Sequence, residues 1–466
     1  MLSVLAAENH RTCSGLSRRE FLRVGGLGMA GLQLADLLAA QGAAATGSYL
    51  RNRSVVFLFL SGGPSHIEFF DPKMSAPSEF RSITDETPTR IPGVTLGGTF
   101  EKLAARTDQF SIVRSFQSKN GGHTYGGVAS GNNPIKAAVS SIYARVAGVN
   151  NPRTGMPNNV LIKPEAIEEM KLGRNFETNA LPTLTDAGSL GKTYAAFDSS
   201  GGGPLKENME LRITLDRLDN RRLLLQQIDG ARRQADSSTS FARLDKYQQQ
   251  AFEMIARGIS DAFDISQEDP RTLARYDSRH TFRAADLQRY GDMRRTTNLL
   301  GHQLLLARRL CEAGCGFVTV SDCGWDMHAN GNSPKGMTGM WPMSRQVDHA
   351  VAAFLDDLRE RGMSDEILLV VTGEMGRTPR INKNGGRDHW GDLTALLLAG
   401  GGVPGGRVVG QSDAQAARPA SDPYNPTHLA ATIYQSLFEV GRMRLDASLP
   451  REVTQIVTGG KPILQA

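Results

Sequence analysis

Five short runs along the chain are apolar almost without interruption: 54–60, 110–116, 317–321, 367–371 and 393–399. Runs of this length, rich in β-branched and aromatic residues, predict strands buried on both faces, the condition of a mostly parallel sheet. Between them the period changes. Val347, Val351, Phe354, Leu355 and Leu358 repeat at i, i+4, i+7, i+8 and i+11, one apolar face of a helix stopped by Gly362. Residues 299–313 read as a second long helix ended by Gly314, and 100–106 as a short one. Residues 206–312 are rich in charge, with stripes at Leu215, Leu218, Arg222 and Leu225 and at Tyr247, Ala251, Met254 and Ile255. That segment predicts helices packed on one face of the sheet. Strands alternating with helices define an α/β sandwich around a largely parallel sheet.

Polar chemistry gathers just beyond these strands, where open α/β sheets bind ligands. Ser61-Gly62-Gly63-Pro64-Ser65-His66 follows the first run, with Glu68 and Asp71 close behind. Asn120-Gly121-Gly122-His123-Thr124 lies beyond the second. The third leads into Asp322-Cys323-Gly324-Trp325-Asp326-Met327-His328-Ala329-Asn330, where extended backbone would put Asp326, His328 and Asn330 on one side. The fourth leads to Glu374, Arg377, Arg387, Asp388 and His389. Each cluster alone also reads as ordinary loop chemistry: a Glu374–Arg377 ion pair, His389 packed on Trp390, or Thr124 as a helix N-cap. Four histidine-and-carboxylate ends on equivalent edges of one sheet are better explained by a shared divalent-metal site. The candidate ligands are His66, Asp326, His328, Glu374, Asp388 and His389.

Composition narrows the class. The 466 residues are 40% apolar and 22% charged, an ordinary globular balance. The start is different in character. Ser17-Arg18-Arg19-Glu20-Phe21-Leu22 precedes a weakly apolar run and Ala43-Ala44-Ala45, the pattern of a cleaved twin-arginine export signal over residues 1–45. The expected locale is periplasmic or secreted, with one domain over 46–466. Loss of the signal removes four basic and three acidic residues from totals of 53 and 48, leaving +4. No basic block with interleaved aromatics points to nucleic acid, and no later apolar run is long enough to span a membrane. Cys311, Cys315 and Cys323 stay in the mature chain and read as buried thiols, though a bridge between the first two is conceivable.

The leader, LSGGPSHIEFFDPK, GWDMHAN, GEMGRTP and DHWG together resemble the exported proteins grouped as domain of unknown function 1501. That family is similar to the alkaline phosphatase/sulfatase superfamily. The resemblance implies a sandwich fold of that kind holding one or two divalent metals (zinc, calcium or magnesium) and cleaving phosphate or sulfate esters. A small anionic ester or a sulfated or phosphorylated glycan is the implied partner. Ser61 stands where the superfamily has a metal aspartate, and Glu374-Met375 where it has Asp-His. The sulfatase Cys-x-Pro-x-Arg motif is absent from the mature chain. Attack then falls to Thr124, or to water whose pKa the metal lowers, with Arg377 or Arg387 neutralising the ester. The rival expectation is an exported binding or assembly protein that kept the fold without the chemistry. A redox partner is a third possibility that no haem or iron–sulfur spacing supports.

Overall fold

The computed structural model describes residues 49–164, 180–199, 217, 259–281, 299–329, 335–446 and 449–465. The expected export signal, the stripe residues Leu215, Leu218, Arg222 and Leu225, those at 247–255, and Asn330 lie outside them.

Among the described residues twelve strands form in chain order. They begin with β1 (Ser54–Leu60), β2 (Glu86–Pro88), β3 (Thr95–Gly97), β4 (Phe110–Val113), β5 (Asn159–Ile162) and β6 (Phe197–Asp198). Then come β7 (Phe317–Asp322), β8 (Ile367–Thr372), β9 (Gly376–Arg377), β10 (His389–Trp390), β11 (Leu396–Gly400) and β12 (Arg407–Val409). Eight of them make one sheet in the order β12-β4-β11-β8-β1-β7-β5-β6. All pairings are parallel except those of β11, which runs antiparallel to both β8 and β4. The chain leaves β8 and re-enters β11 from the same edge, so β11 must run backwards. Because β11 opposes both neighbours, β4 runs with β8. The carboxyl ends of β1, β4, β7 and β8 therefore share one edge.

Alternation along each strand divides the core. Val56, Leu58 and Leu60 face one side with Val318, Val320, Leu369 and Val371. They are covered by α3 (Leu300–Glu312) and α4 (Met340–Glu360), with α1 (His66–Phe70) near the strand ends. Val55, Phe57, Phe59, Leu368 and Val370 face the other side, under α2 (Val139–Ala147) and α5 (Pro426–Leu437). Three layers result, as the apolar runs implied, and Gly362 does end α4 with a left-handed φ of 71°. Asn425 opens α5 with a capping box and Pro426 at its first turn.

Three elements depart from the sequence expectation. Residues 66–70 form a buried helical turn instead of an irregular loop, because Ile67, Phe69 and Phe70 all find core. Strand β4 is shorter than 110–116, and 393–399 becomes β11 three residues later. Strands β5 and β6 fall within 130–205, where short apolar runs broken by Gly, Pro and Asn imply a few strands among loops without placing them, and β12 matches none of the five runs. Among the described residues Cys311, Cys315 and Cys323 are buried thiols outside any disulfide.

Candidate metal centre at the shared strand edge

Each of the four strand ends contributes. After β1, Gly62 and Gly63 adopt φ of 109° and 83°, and a Cβ on Gly63 would meet Met375 Cγ at 2.7 Å. That close approach lets the Gly62 N–H donate to Glu374 Oε1 at 2.9 Å. The loop after β4 carries His123. Asn120 Oδ1 shapes it, accepting from the Gly122 N–H at 3.1 Å and the Thr124 hydroxyl at 3.0 Å. After β7, the indole of buried Trp325 donates to Asp322 at 2.9 Å, which aims the next turn and its Asp326 and His328. After β8, the β9–β10 ribbon pairs Arg377 with His389.

These side chains meet at Asp326. Its Oδ1 lies 3.0 Å from His328 Nε2, 3.2 Å from His389 Nε2 and 3.5 Å from His123 Nε2. His328 Nε2 and His389 Nε2 are themselves 2.8 Å apart. The opposite nitrogens are all held. His123 Nδ1 is 3.0 Å from Glu374 Oε1, His328 Nδ1 is 2.8 Å from Asp388 Oδ1, and His389 Nδ1 is 3.0 Å from the Gly121 carbonyl. An acceptor at every Nδ1 keeps a proton there, so Nε2 faces inward, as a donor to Asp326 when it too is protonated and as a lone pair when it is not. This is how proteins orient metal-ligating imidazoles.

The electrostatics are those of a tightly coupled anion among bases. Burial alone would raise the Asp326 carboxyl, but hydrogen bonds from the three histidines and the charge of Arg377 hold it far below the carboxylate range. Burial pulls the His123 imidazolium down. Its bonds to Asp326 and Glu374 outweigh that and raise it to about 9. His328 is raised as well, chiefly by Asp326. Protons and a metal ion compete for the same Nε2 atoms. Among the described residues, His123, Asp326 and His389 form a group whose ligand atoms lie close enough to hold one ion.

Of the six residues expected as ligands, Asp326, His328 and His389 point at this convergence. Glu374 and Asp388 sit on the outer nitrogens, where they orient His123 and His328. His66 is elsewhere: it is buried, with Nε2 2.9 Å from the Ala416 carbonyl. The sequence reading puts His123 beside Thr124 but not among the ligands. Its position after two glycines beyond a strand was the available signal.

Neither arginine is free to meet a substrate anion. Arg377 is fully buried and gives its N–H groups to the carbonyls of Gly62, Gly63 and Arg387 and to Asp326 Oδ1 at 2.7 Å. Arg387, also fully buried, grips Glu68 Oε1 at 3.0 and 3.1 Å and the carbonyls of Thr378, Pro379, Phe80 and Arg81. It pins the 378–388 loop onto the turn after α1, a role that a buried guanidinium fills because all its donors must be satisfied.

The fold and site are those of an α/β protein with a possible histidine–aspartate metal centre. The chain belongs to the family described as protein of unknown function (DUF1501), whose profile matches residues 52–447. No individually curated protein matches it significantly. Among solved structures it is similar to Ps i-CgsB in complex with k-i-k-neocarrahexaose, at 10% identity and TM-score 0.35, over 88% of this chain and 78% of that one. It is similar to the PsFucS1 sulfatase from Pseudoalteromonas sp. at 12% identity and TM-score 0.34, over 91% and 76%. The alkaline phosphatase of the Antarctic bacterium TAB5 shows 12% identity and TM-score 0.32, over 77% and 94%.

Proposed function

We propose that this protein is an exported, metal-dependent hydrolase of phosphate or sulfate esters, with His123, Asp326, His328 and His389 as its metal ligands. One observation carries the reading: three imidazoles with their Nδ1 atoms engaged present their Nε2 atoms to a single carboxylate oxygen. Export rests on the sequence of residues 1–45, and no helix among the described residues is long and apolar enough to cross a membrane.

A divalent ion in such a set supplies Lewis acidity toward an ester oxygen and lowers the pKa of water. The chain's own groups do the rest. Glu374 and Asp388 fix ring orientation, and Arg377 holds Asp326 in place while balancing its charge. Thr124 is a poor nucleophile here, because its hydroxyl donates to the amide oxygen of Asn120, which cannot take up a proton. Water is the better attacking group. Arg377 and Arg387 are already engaged, so an ion held by His123, Asp326, His328 and His389 would supply the positive charge that an anionic ester meets.

A second reading has its own observation. The Arg377 guanidinium already lies 2.7 Å from Asp326 Oδ1, supplying the positive charge that a metal would bring. An exported binding or assembly protein that works without metal would look the same at this contact.

Elemental mass spectrometry on mature protein purified without chelators separates the two. The hydrolase reading expects about one divalent ion per chain, lost in His389→Ala, and turnover of p-nitrophenyl phosphate or sulfate that disappears with it. A folded, metal-free protein, or a loaded one inert toward every ester tried, overturns it and leaves the binding role.

A further inference from the structure

Asp388 is the exposed member of the candidate centre. Its side chain is 55% accessible, whereas Glu374, its counterpart on His123, is fully buried and also accepts from the Gly62 N–H. A carboxylate that water reaches on most sides turns easily, and one contact to a ring nitrogen restrains it little. A second restraint is needed to keep it on His328.

The 378–388 loop between β9 and β10 supplies one. Its ends close on each other: the Thr378 N–H donates to the Asp388 carbonyl at 2.8 Å, and the Asp388 N–H to the Thr378 hydroxyl at 2.9 Å. Asn382-Lys383-Asn384-Gly385-Gly386 is a turn sequence, and Gly385 takes the left-handed φ of 80°. This turn is pressed against the chain after β7. The Arg387 N–H donates to the Met327 carbonyl at 3.0 Å, and a Cβ on Gly386 would lie 2.2 Å from the His328 carbonyl oxygen. No side chain fits there.

Asn382 stands at this contact with every polar atom of its amide in use. Its Oδ1 accepts from the N–H groups of Asn384 and Gly386 at 2.9 and 3.0 Å. Its Nδ2 donates one proton to the His328 carbonyl at 3.0 Å and the other to Asp388 Oδ1 at 3.2 Å. The partners settle which atom is nitrogen, since a carbonyl and a carboxylate accept and backbone N–H groups donate. The two bonds to Oδ1 are those an asparagine makes in many turns. The two from Nδ2 are different. They reach past the turn to His328 itself and to the carboxylate oxygen that lies 2.8 Å from its Nδ1.

We propose that Asn382 is a positioning residue of the metal centre, locking Asp388 onto the ring of His328 so that Nε2 stays aimed at the ion. The inference rests on the metal-centre reading above. Without the amide N–H, the exposed carboxylate turns to water and the His328 ring loses the partner that sets its orientation. Asn382 touches neither ion nor substrate, and it acts only through Asp388 and the His328 backbone.

Zinc affinity tests it, measured on chelator-stripped mature full-length protein by competition with a chromophoric chelator. Asn382→Ser keeps an acceptor for the turn but is too short to reach His328 and Asp388. It should bind zinc about tenfold more weakly than wild type, the lower end of what loss of an orienting partner costs, with its circular dichroism spectrum kept. In the Asp388→Ala background the same substitution should cost no more than about threefold, from the lost bond to the His328 carbonyl alone. The same cycle run with Asn382→Ala guards against misfolding of the first variant. An undiminished affinity in Asn382→Ser overturns the proposal and leaves Asn382 a turn residue. An equal loss with and without Asp388 overturns it too, because loop shape would then account for the effect. Wild type that takes up no zinc would sink the metal centre itself, and this inference with it. Wild type that binds zinc no better than Asn382→Ser sinks the positioning role alone.

Discussion

Glu374 decides more at the candidate centre than its distance from Asp326 suggests. It is fully buried, accepts from the Gly62 N–H and faces His123 Nδ1. It thereby ties the first strand end to the second through one carboxylate. Replacing it by Gln keeps the volume and one acceptor but removes the charge and offers a donor in its place. Loss of such an orienting partner typically weakens metal affinity about 10–100-fold. Glu374→Gln should therefore lose divalent ion at a lower chelator concentration than wild type while keeping its circular dichroism spectrum. Equal chelator midpoints would mean that His123 is not a ligand, and the centre would shrink to Asp326, His328 and His389. The sequence could mark Glu374 as chemical but not assign its task. Ligand and orienting partner differ only by which atom faces inward, and that is set by loop geometry no spacing encodes. Arg387 illustrates the same limit. Its charge beside Asp388 and His389 reads as anion binding, yet its side chain turns away to Glu68, a residue 319 positions distant in sequence.

The elements that were legible were those with strong periodicity. Strand β1 matches its apolar run residue for residue, and β7, β8, α3 and α4 fall within a few positions of theirs, α4 starting earlier. The positions of β5, β6 and β12 were not, since runs of two to four residues at a sheet margin carry no period. The reversed β11 was hidden too, because an apolar run does not state its direction. Contacts between elements were equally invisible, and Asp348 on α4 is one with a measurable consequence. It caps the Glu101–Ala104 turn from 246 residues away. Burial raises its carboxyl to about 6, against the pull of the Leu103 and Lys102 N–H groups. The unfolded group titrates near 3.9, so between about pH 4 and 6 the folded chain binds more protons than the unfolded one. This group's contribution to stability therefore falls as pH rises through that window. Glu268, held down to about 2 against its burial by Arg308 and Arg309, acts in the opposite sense at lower pH. The comparison must then be between proteins. Wild-type urea midpoints should carry a decline between about pH 4 and 6 that Asp348→Asn, which keeps an acceptor for the cap, lacks. Identical slopes in the two proteins would remove the assignment.

For the whole molecule, the consequence of this topology is that the centre cannot exist before the sheet does. His123, Asp326 and His389 come from loops after three different strands, and Glu374 from the loop that also carries His389. Those strands become neighbours only when β1 sits between β7 and β8 and β11 bridges β8 to β4. An unfolded chain offers scattered histidines and no convergent set, so an ion that binds here binds the folded state almost alone. Linkage then converts occupancy into stability: about 2.7 kcal/mol when free metal is a hundred times its dissociation constant. In a chain of this length that is a rise of a few degrees in the thermal midpoint. Chelator-treated protein should melt lower than protein given back zinc, calcium or magnesium, with one ion giving the larger shift. His328→Ala should abolish the shift by removing an inward Nε2. A midpoint indifferent to every divalent ion would mean that Arg377 alone balances Asp326, and the protein would then be a metal-free binder. A shift that survives in His328→Ala would place the ion somewhere other than at this strand edge.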